Sequence, residues 1–352
     1  MKSTLTLFWL FLCFGFLDAS PARSLSQDGN SNLSAGERFQ FKLRASQLDP
    51  RAREHPEIEF VFEKDGKPAD LEYATVDTRV PARGKLVIWL MPYRAELFDR
   101  LASYGLHAIQ VHYANGWFKK LNRATPPDGE YLGRIRLEAA TGTDCSLDIE
   151  IPQADGVSER AHQLVKHLAK VNPEGGWSRF IDSEGGGLRW NDVILSGSSH
   201  GSTTAARFAI HQSVDRVVMF SGPRDQMENW YSLPSATAKN RFFGFTHVED
   251  GGWKEDHYCR SWELLGLNAF GPVVDVEDTG YPFSNSRRLT TKADVQHDAN
   301  RAHGSSSPGN SAIKDGDGKF VHEEVWKYLF THPIEQVGAP VDRDPNCNHT
   351  LR

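Results

Sequence analysis

The sequence predicts an α/β fold: a mostly parallel, eight-stranded sheet with helices on both faces. Three observations carry that expectation. Short runs rich in β-branched and aromatic residues alternate along the chain with amphipathic helical segments, the pattern of strand–helix–strand units. Several of those runs are apolar throughout rather than at every second residue, as strands covered on both faces must be. The composition of the 352 residues, 39% hydrophobic and 24% charged, is that of a globular chain and excludes collagen-like, wholly disordered and polytopic membrane proteins. Lys and Arg number 40 against 46 Asp and Glu, a net charge of -6 with no dense basic run, so nucleic acid is not an expected partner. Four cysteines are too few and too scattered for a disulfide scaffold or a zinc knuckle.

Residues 1–22 read as a signal peptide. Lys2 supplies the positive start, 5–17 is an apolar core, and Ser20-Pro21-Ala22 offers small residues at a cleavage site. The apolar run is too short to span a bilayer core of ~30 Å, and no other run approaches that length. The expectation is a secreted or periplasmic protein with no stable membrane insertion. Export permits one disulfide among Cys145, Cys259 and Cys347 and leaves one thiol over; the sequence does not choose the pair. Residues 23–45 are expected to be a disordered lead-in, with 24–37 polar and rich in Gly, Ser and Asn. A single domain then occupies 46–335, followed by a tail at 336–352.

Within the domain, 58–62 and 71–76 flank Asp65-Gly66 and read as an antiparallel pair. Residues 85–91 form a nearly continuous apolar run, a buried strand. A helix follows over 95–104, stopped by Gly105, and the next strand is 107–113. Residues 114–156 are rich in Gly, Pro and Asp and are expected to be a long loop over the site. Leu164, Val165 and Leu168 share one face of a helix over 158–171. A short buried strand over 192–196, a helix over 203–212, strands at 216–220, 241–246 and 287–291, and a final helix over 323–330 complete the pattern.

The sharpest motif is Gly197-Ser198-Ser199-His200-Gly201, the sole G-x-S-x-G in the chain. A strand precedes it and a helix follows. That context makes it a tight strand-to-helix turn with the central Ser199 projected above the sheet edge, and glycine is required where a side chain would strike the neighbouring strand or helix. Ser198 and Ser202 flank the nucleophile without occupying the central position. On these residues the chain resembles the α/β-hydrolase superfamily over roughly 57–331. Tyr113-Ala114-Asn115 after the fourth strand and the run Val217 to Pro223 are similar to a poorly characterised bacterial branch of secreted serine hydrolases and esterases. The resemblance implies an α/β-hydrolase fold and a serine mechanism, and it brings no substrate with it.

A serine hydroxyl needs an imidazole to take its proton and a carboxylate to orient that imidazole. In this fold the acid follows a later strand and the histidine follows the last. Asp250 lies just past the strand at 241–247, before Gly251-Gly252, with Glu249 and Asp256 as neighbours of the same chemistry. A capping role for Asp250 at that turn is the competing reading. His303 sits in a loop of small residues after the last strand, and His297 stands closer to the sheet. The oxyanion formed in acyl transfer needs donors, each worth ~10²–10³ in rate. The main-chain N–H of His200 is one. The other falls in Met91-Pro92-Tyr93-Arg94, and because Pro92 has no N–H, Tyr93 is the candidate. Arg94 at that edge is a candidate grip for an anionic substrate. Trp230 and Trp253 belong to an aromatic-rich stretch expected above the carboxyl edge of the sheet, where ligands of open α/β folds bind.

The expected activity is therefore a secreted serine hydrolase, foremost a carboxylesterase acting on a small-molecule or carbohydrate-linked ester, with no cofactor and no metal. Two other classes answer to the same residues: a catalytically silent binding protein that keeps the fold, and a metal-dependent hydrolase built on His247, Asp250, Asp256 and His257. The last four match no common zinc spacing. Asp315-Gly316-Asp317-Gly318 with Glu324 mimics part of a calcium loop, but Ile313 would stand at its first ligand position, so it reads as a turn.

Overall fold

The computed structural model of the chain describes residues 36–121, 125–184, 186–225, 229–342 and 344–347. The signal peptide expected at 1–22 and residues 23–35 of the lead-in lie outside them.

Among the described residues, nine strands form the main sheet: β1 (Arg38–Arg44), β2 (Leu71–Asp77), β3 (Leu86–Trp89), β4 (His107–Gln110), β5 (Val193–Ser198), β6 (Arg216–Phe220), β7 (Phe242–His247), β8 (Val273–Asp275) and β9 (Arg288–Thr291). Their order is β1-β2-β4-β3-β5-β6-β7-β9-β8. β1 and β2 run antiparallel, as do β2 and β4, and all remaining pairs are parallel. The protein has an α/β-hydrolase fold.

Alternation along β3 shows why its sequence is apolar throughout. Leu86 and Ile88 enter the core on one face of the sheet, together with Leu164 and Leu168 of one helix and Ala205 and Phe208 of another. Val87 and Trp89 enter the core on the other face, with Leu97 and Leu101 near one end of the chain and Trp326 and Leu329 near the other. The helices that cover the sheet are α1 (Ala95–Ser103), α2 (Trp117–Leu121), α3 (Tyr131–Thr141), α4 (Val157–Val171), α5 (His200–His211), α6 (His257–Leu264), α7 (Ala299–Ser305) and α8 (Glu323–Thr331). Among the described residues, no helix is long and apolar enough to cross a membrane.

Four expectations need correction. The sheet has nine strands rather than eight. One unexpected strand, β1, falls inside the segment read as disordered: Phe39, Phe41 and Leu43 alternate with polar residues and pack against the core, a period-2 signal hidden behind the polar run before it. The strand expected over 58–62 does not form. Pro56–Ile58 is a single 3₁₀ turn, and Asp65-Gly66 closes only a two-residue ladder between Glu63–Lys64 and Lys67–Pro68, while β2 pairs with β1 and β4 instead. The expected loop over 114–156 contains α2 and α3. The face of α3 is hard to read because Arg136 and Glu138 lie on its buried side. Glu138 receives the main-chain N–H groups of Ser146 (2.8 Å) and Ile151 (3.0 Å).

The expected tail at 336–352 is anchored wherever it is described. Gly338 N–H donates to the Asn285 carbonyl and Val341 N–H to that of Asn268, both at 2.9 Å. Cys347 is disulfide-bonded to Cys259 of α6, and among the described residues Cys145 is the free thiol. Asp344 pairs at 3.0 Å with Arg288 of β9, both side chains fully buried. Removing one member of such a pair leaves a buried charge uncompensated, at a cost of about 3–5 kcal/mol. Asp344→Ala is accordingly expected to lower the unfolding free energy by about that amount in denaturant titration; an unchanged midpoint would show that the pair contributes nothing.

Candidate active site

β5 delivers the chain to Ser199, the one residue between strand and helix. Its backbone stands at φ 53°, ψ -122°, a conformation that costs a non-glycine residue about 1–3 kcal/mol and persists only where the surroundings enforce it. They do so here from both sides of the peptide. Ser199 N–H donates to the Phe220 carbonyl at 2.9 Å, while the Ser199 carbonyl accepts from Thr203 N–H at 3.2 Å and from the Ser202 hydroxyl at 2.7 Å. The flanking glycines are steric requirements. A Cβ on Gly197 would stand 2.3 Å from the Gly201 carbonyl carbon, and one on Gly201 would stand 2.5 Å from the Leu90 oxygen.

Ser199 opens on a cavity of about 530 Å³ that is also lined by Asp250, Tyr258, Asn300 and His303. β7 carries the chain to Asp250, which is buried and performs two tasks. Its Oδ1 caps the following turn by accepting Gly252 N–H at 2.9 Å and also accepts the Tyr258 hydroxyl at 3.1 Å. Its Oδ2 is 2.8 Å from Nδ1 of His303. One carboxylate oxygen thus caps the turn and the other is bonded to the imidazole. Burial works to raise the Asp250 carboxyl, but the bonds with His303, Gly252 and Tyr258 outweigh it and hold the group below its ordinary value. Burial, followed by the charge of Asp250, pushes the Tyr258 phenol upward, which keeps it a donor.

His303 lies on α7, whose start is capped by the Asp298 carboxylate accepting Asn300 and Arg301 N–H. The His303 carbonyl accepts the Ser221 hydroxyl at 2.7 Å, and Ser221 is itself buried at φ 45° just past β6. Among the described residues no hydrogen bond joins Ser199 Oγ to the His303 ring. The two groups face the same cavity, and such bonds are commonly loose without ligand. Glu249 and His297 pair with each other at 3.1 Å, with the His297 side chain almost fully exposed. Asp256 sits in a left-handed turn ahead of α6.

Of the remaining expected site residues, His200 lines the same cavity and the others lie elsewhere. His200 opens α5, where main-chain N–H groups lack an intrahelical acceptor, and it lines the Ser199 cavity. Tyr93 stacks on Tyr73 at 4.1 Å and lines a neighbouring cavity of about 420 Å³. Arg94 donates to the Ser307 hydroxyl at 2.6 Å and belongs to the wall of a different cavity, beside Gly309. Trp230 is fully buried, its indole N–H donating to Asp225 at 3.0 Å, and Trp253 packs on Trp262 with ring centroids 5.6 Å apart. Trp230 and Trp253 are therefore core packing rather than a wall of the Ser199 cavity. Among the described residues, the aromatic rings at the Ser199 cavity are Phe118 and Tyr258, joined by the charged Arg224 and Asp225.

His247, Asp250, Asp256 and His257 do not gather as a metal-capable group. Among the described residues, the one such group is Cys259, Glu263 and Cys347, and its two cysteines are the disulfide pair. His247 is held by main chain on both nitrogens, Nε2 to the Ala293 carbonyl at 2.7 Å and Nδ1 to Glu249 N–H at 2.9 Å. Asp315 caps its own turn by accepting the N–H groups of Asp317 and Lys319.

Sequence reasoning placed Tyr258 in the aromatic-rich stretch and Ser221 in the run Val217 to Pro223 without giving either a hydrogen-bonding role, and it did not reach Arg136 or Asp225. Asp225 lies just past that run, where no motif marked it, and Arg136 fell within the supposed loop. No family model and no curated protein matches the chain. Among solved structures, the chain is similar to one from Klebsiella pneumoniae subsp. pneumoniae described as a candidate dienelactone hydrolase, at 11% identity over 73% of this chain and 86% of that one, with a TM-score of 0.34. A likeness that slight carries no argument about chemistry.

The lowered Asp250 carboxyl has a consequence for stability. A group whose folded pKa lies below its unfolded value stabilises the fold fully above the unfolded value, near ~3.9 for Asp, and loses that contribution as pH falls through the folded value. The difference in melting temperature between wild type and Asp250→Asn is expected to be largest at neutral pH and to shrink on acidification below pH ~4. A difference that is constant with pH would show that the carboxylate makes no charge-dependent contribution.

Proposed function

We propose that the protein is a secreted serine hydrolase, foremost a carboxylesterase acting on a small-molecule or carbohydrate-linked ester. The observation that carries this reading is the 2.8 Å bond between Asp250 and His303 at the rim of the cavity onto which the strained Ser199 opens. With Nδ1 engaged by Asp250, the other ring nitrogen, Nε2, is the one free to take the Ser199 proton. Ser199 Oγ attacks the ester carbonyl as His303 removes its proton, and Asp250 stabilises the imidazolium. The negative charge on the carbonyl oxygen falls to the main-chain N–H of His200. A second donor would come from the loop after β3; because Pro92 has no N–H, the Tyr93 main-chain N–H is the candidate, although the Tyr93 ring stacks on Tyr73 at the wall of another cavity. His303 then protonates the departing alcohol, leaving Ser199 acylated. A water molecule, deprotonated by the same imidazole, releases the acid and restores the serine.

No step calls on a cofactor or metal. Arg224 and Asn300 on the cavity wall favour a polar substrate over a long acyl chain. The apolar leader at 1–22 and the disulfide between Cys259 and Cys347 both suit an exported protein.

An ester panel run on wild type and variants tests the reading. Ser199→Ala is expected to lower kcat/KM by about 10⁴-fold or more, with an unchanged circular dichroism spectrum. Ser198→Ala, in a residue enclosed within β5, is expected to cost less than about tenfold, because it holds none of the reacting atoms. Wild-type turnover by Ser199→Ala would overturn the mechanism. Activity is also expected to survive a strong chelator; its loss, with recovery on adding zinc or calcium, would replace the serine mechanism with a metal-dependent one.

A further inference from the structure

Behind the turn that carries Ser199 lies a guanidinium with no water contact. Arg136 of α3 is completely buried, which a charged group tolerates only when it is paired and hydrogen-bonded. One edge is taken up by Asp225, with Nε 2.9 Å from Oδ2 and Nη2 2.5 Å from Oδ1. Asp225 is steadied in turn by the Trp230 indole N–H at 3.0 Å. The remaining nitrogen, Nη1, is directed at the first turn of α5. It donates to His200 Nδ1 at 2.9 Å, to the His200 carbonyl at 3.2 Å and to the Thr204 hydroxyl at 3.0 Å.

That contact fixes the chemistry of the imidazole. A guanidinium has no lone pair to offer, so His200 Nδ1 must be the acceptor. The neutral ring then carries its proton on Nε2. Burial and the adjacent guanidinium both oppose a second proton. The ring is also flanked by Phe118 and Trp117, with centroids 4.2 and 5.2 Å away, which leaves it little room to turn. His200 is thus held at its ring and at its carbonyl by one rigid fork. Its main-chain N–H lies between the strained Ser199 and that fixed carbonyl, so the direction of the N–H is set as well.

We propose that Arg136, with Asp225 behind it, is a positioning residue of the oxyanion hole: it locks His200 in the Nε2–H tautomer and aims the His200 main-chain N–H at the substrate carbonyl oxygen. The inference rests on the acyl-transfer reading above. A pair that merely stitched α3 to α5 would change stability and leave turnover by the folded protein alone.

Three variants and one spectroscopic readout separate these cases. Arg136→Lys keeps the charge but cannot fork between Asp225 and His200. It is expected to lower kcat about ten- to hundredfold, less than the ~10²–10³ of losing a donor outright, while KM stays within about threefold. His200→Leu is expected to show the same split. His200→Asn, whose Oδ1 can accept from Arg136, is expected to recover most of what His200→Leu loses. In wild-type protein, nitrogen-15 NMR is expected to show His200 Nδ1 unprotonated and Nε2 protonated at every pH from 5 to 9, a pattern lost in Arg136→Lys. Unchanged kcat in Arg136→Lys, with Ser199→Ala inactive, would overturn the positioning role and leave the serine mechanism standing. Activity in Ser199→Ala would overturn the mechanism, whatever the tautomer. Should Arg136→Lys fail to fold, His200→Leu and His200→Asn decide: equal kcat in the two would refute the proposal.

Discussion

Everything at the site depends on holding one serine in a backbone conformation that serine does not prefer. Ser199 stands at φ 53° because the strand before it and the helix after it are packed too closely for any gentler turn. Gly197 and Gly201 make that packing possible, and the hydrogen bonds at both ends of the residue make it binding. The strain of about 1–3 kcal/mol is distributed over the parallel sheet and the first turn of α5. It lifts the hydroxyl out of the strand and points the free N–H groups of the helix start toward the same space. The proposed nucleophile and the proposed oxyanion donor are therefore positioned by a single turn.

The second requirement is to bring two distant loops to that turn. The carboxylate and imidazole come from after β7 and from α7, segments 53 residues apart in the chain. Each is fixed by more than the bond between them. Asp250 is bound by Gly252 and by Tyr258, and Tyr258 is next in sequence to Cys259, whose disulfide reaches the last described residue of the chain. The His303 main chain is bound by Ser221, which lies immediately after β6. These contacts hold the Asp250 carboxylate and the His303 imidazole by main-chain and buried polar groups, an arrangement that does not depend on loop mobility.

Much of this was legible in the sequence, and what was not has physical causes. The parallel strands announced themselves as unbroken apolar runs because both of their faces are covered. The turn at Ser199 was legible because its sterics demand glycine at fixed positions. Asp250 and His303 could be nominated because a carboxylate and a histidine must follow particular strands. By contrast, β1 is an edge strand with one exposed side, and its weak alternation was masked by the polar residues ahead of it. α3 buries an arginine and a glutamate, so its inward face did not look apolar. Trp230 was misjudged for the opposite reason: an aromatic residue between two strands is compatible with a ligand wall or with core, and only the fold shows its indole N–H turned inward to Asp225. Ser221 and Tyr258 act through hydrogen bonds of their hydroxyls, which leave no periodic trace in a sequence.

The central claim is that Ser199 is the nucleophile activated by His303 and Asp250. Its most direct measurement is the reaction of the protein with a fluorophosphonate, followed by peptide mapping in the mass spectrometer. The account predicts a single adduct on Ser199, formed much more slowly when His303 or Asp250 is replaced by alanine. An adduct on another residue, or none at all in a preparation that hydrolyses esters, would contradict it.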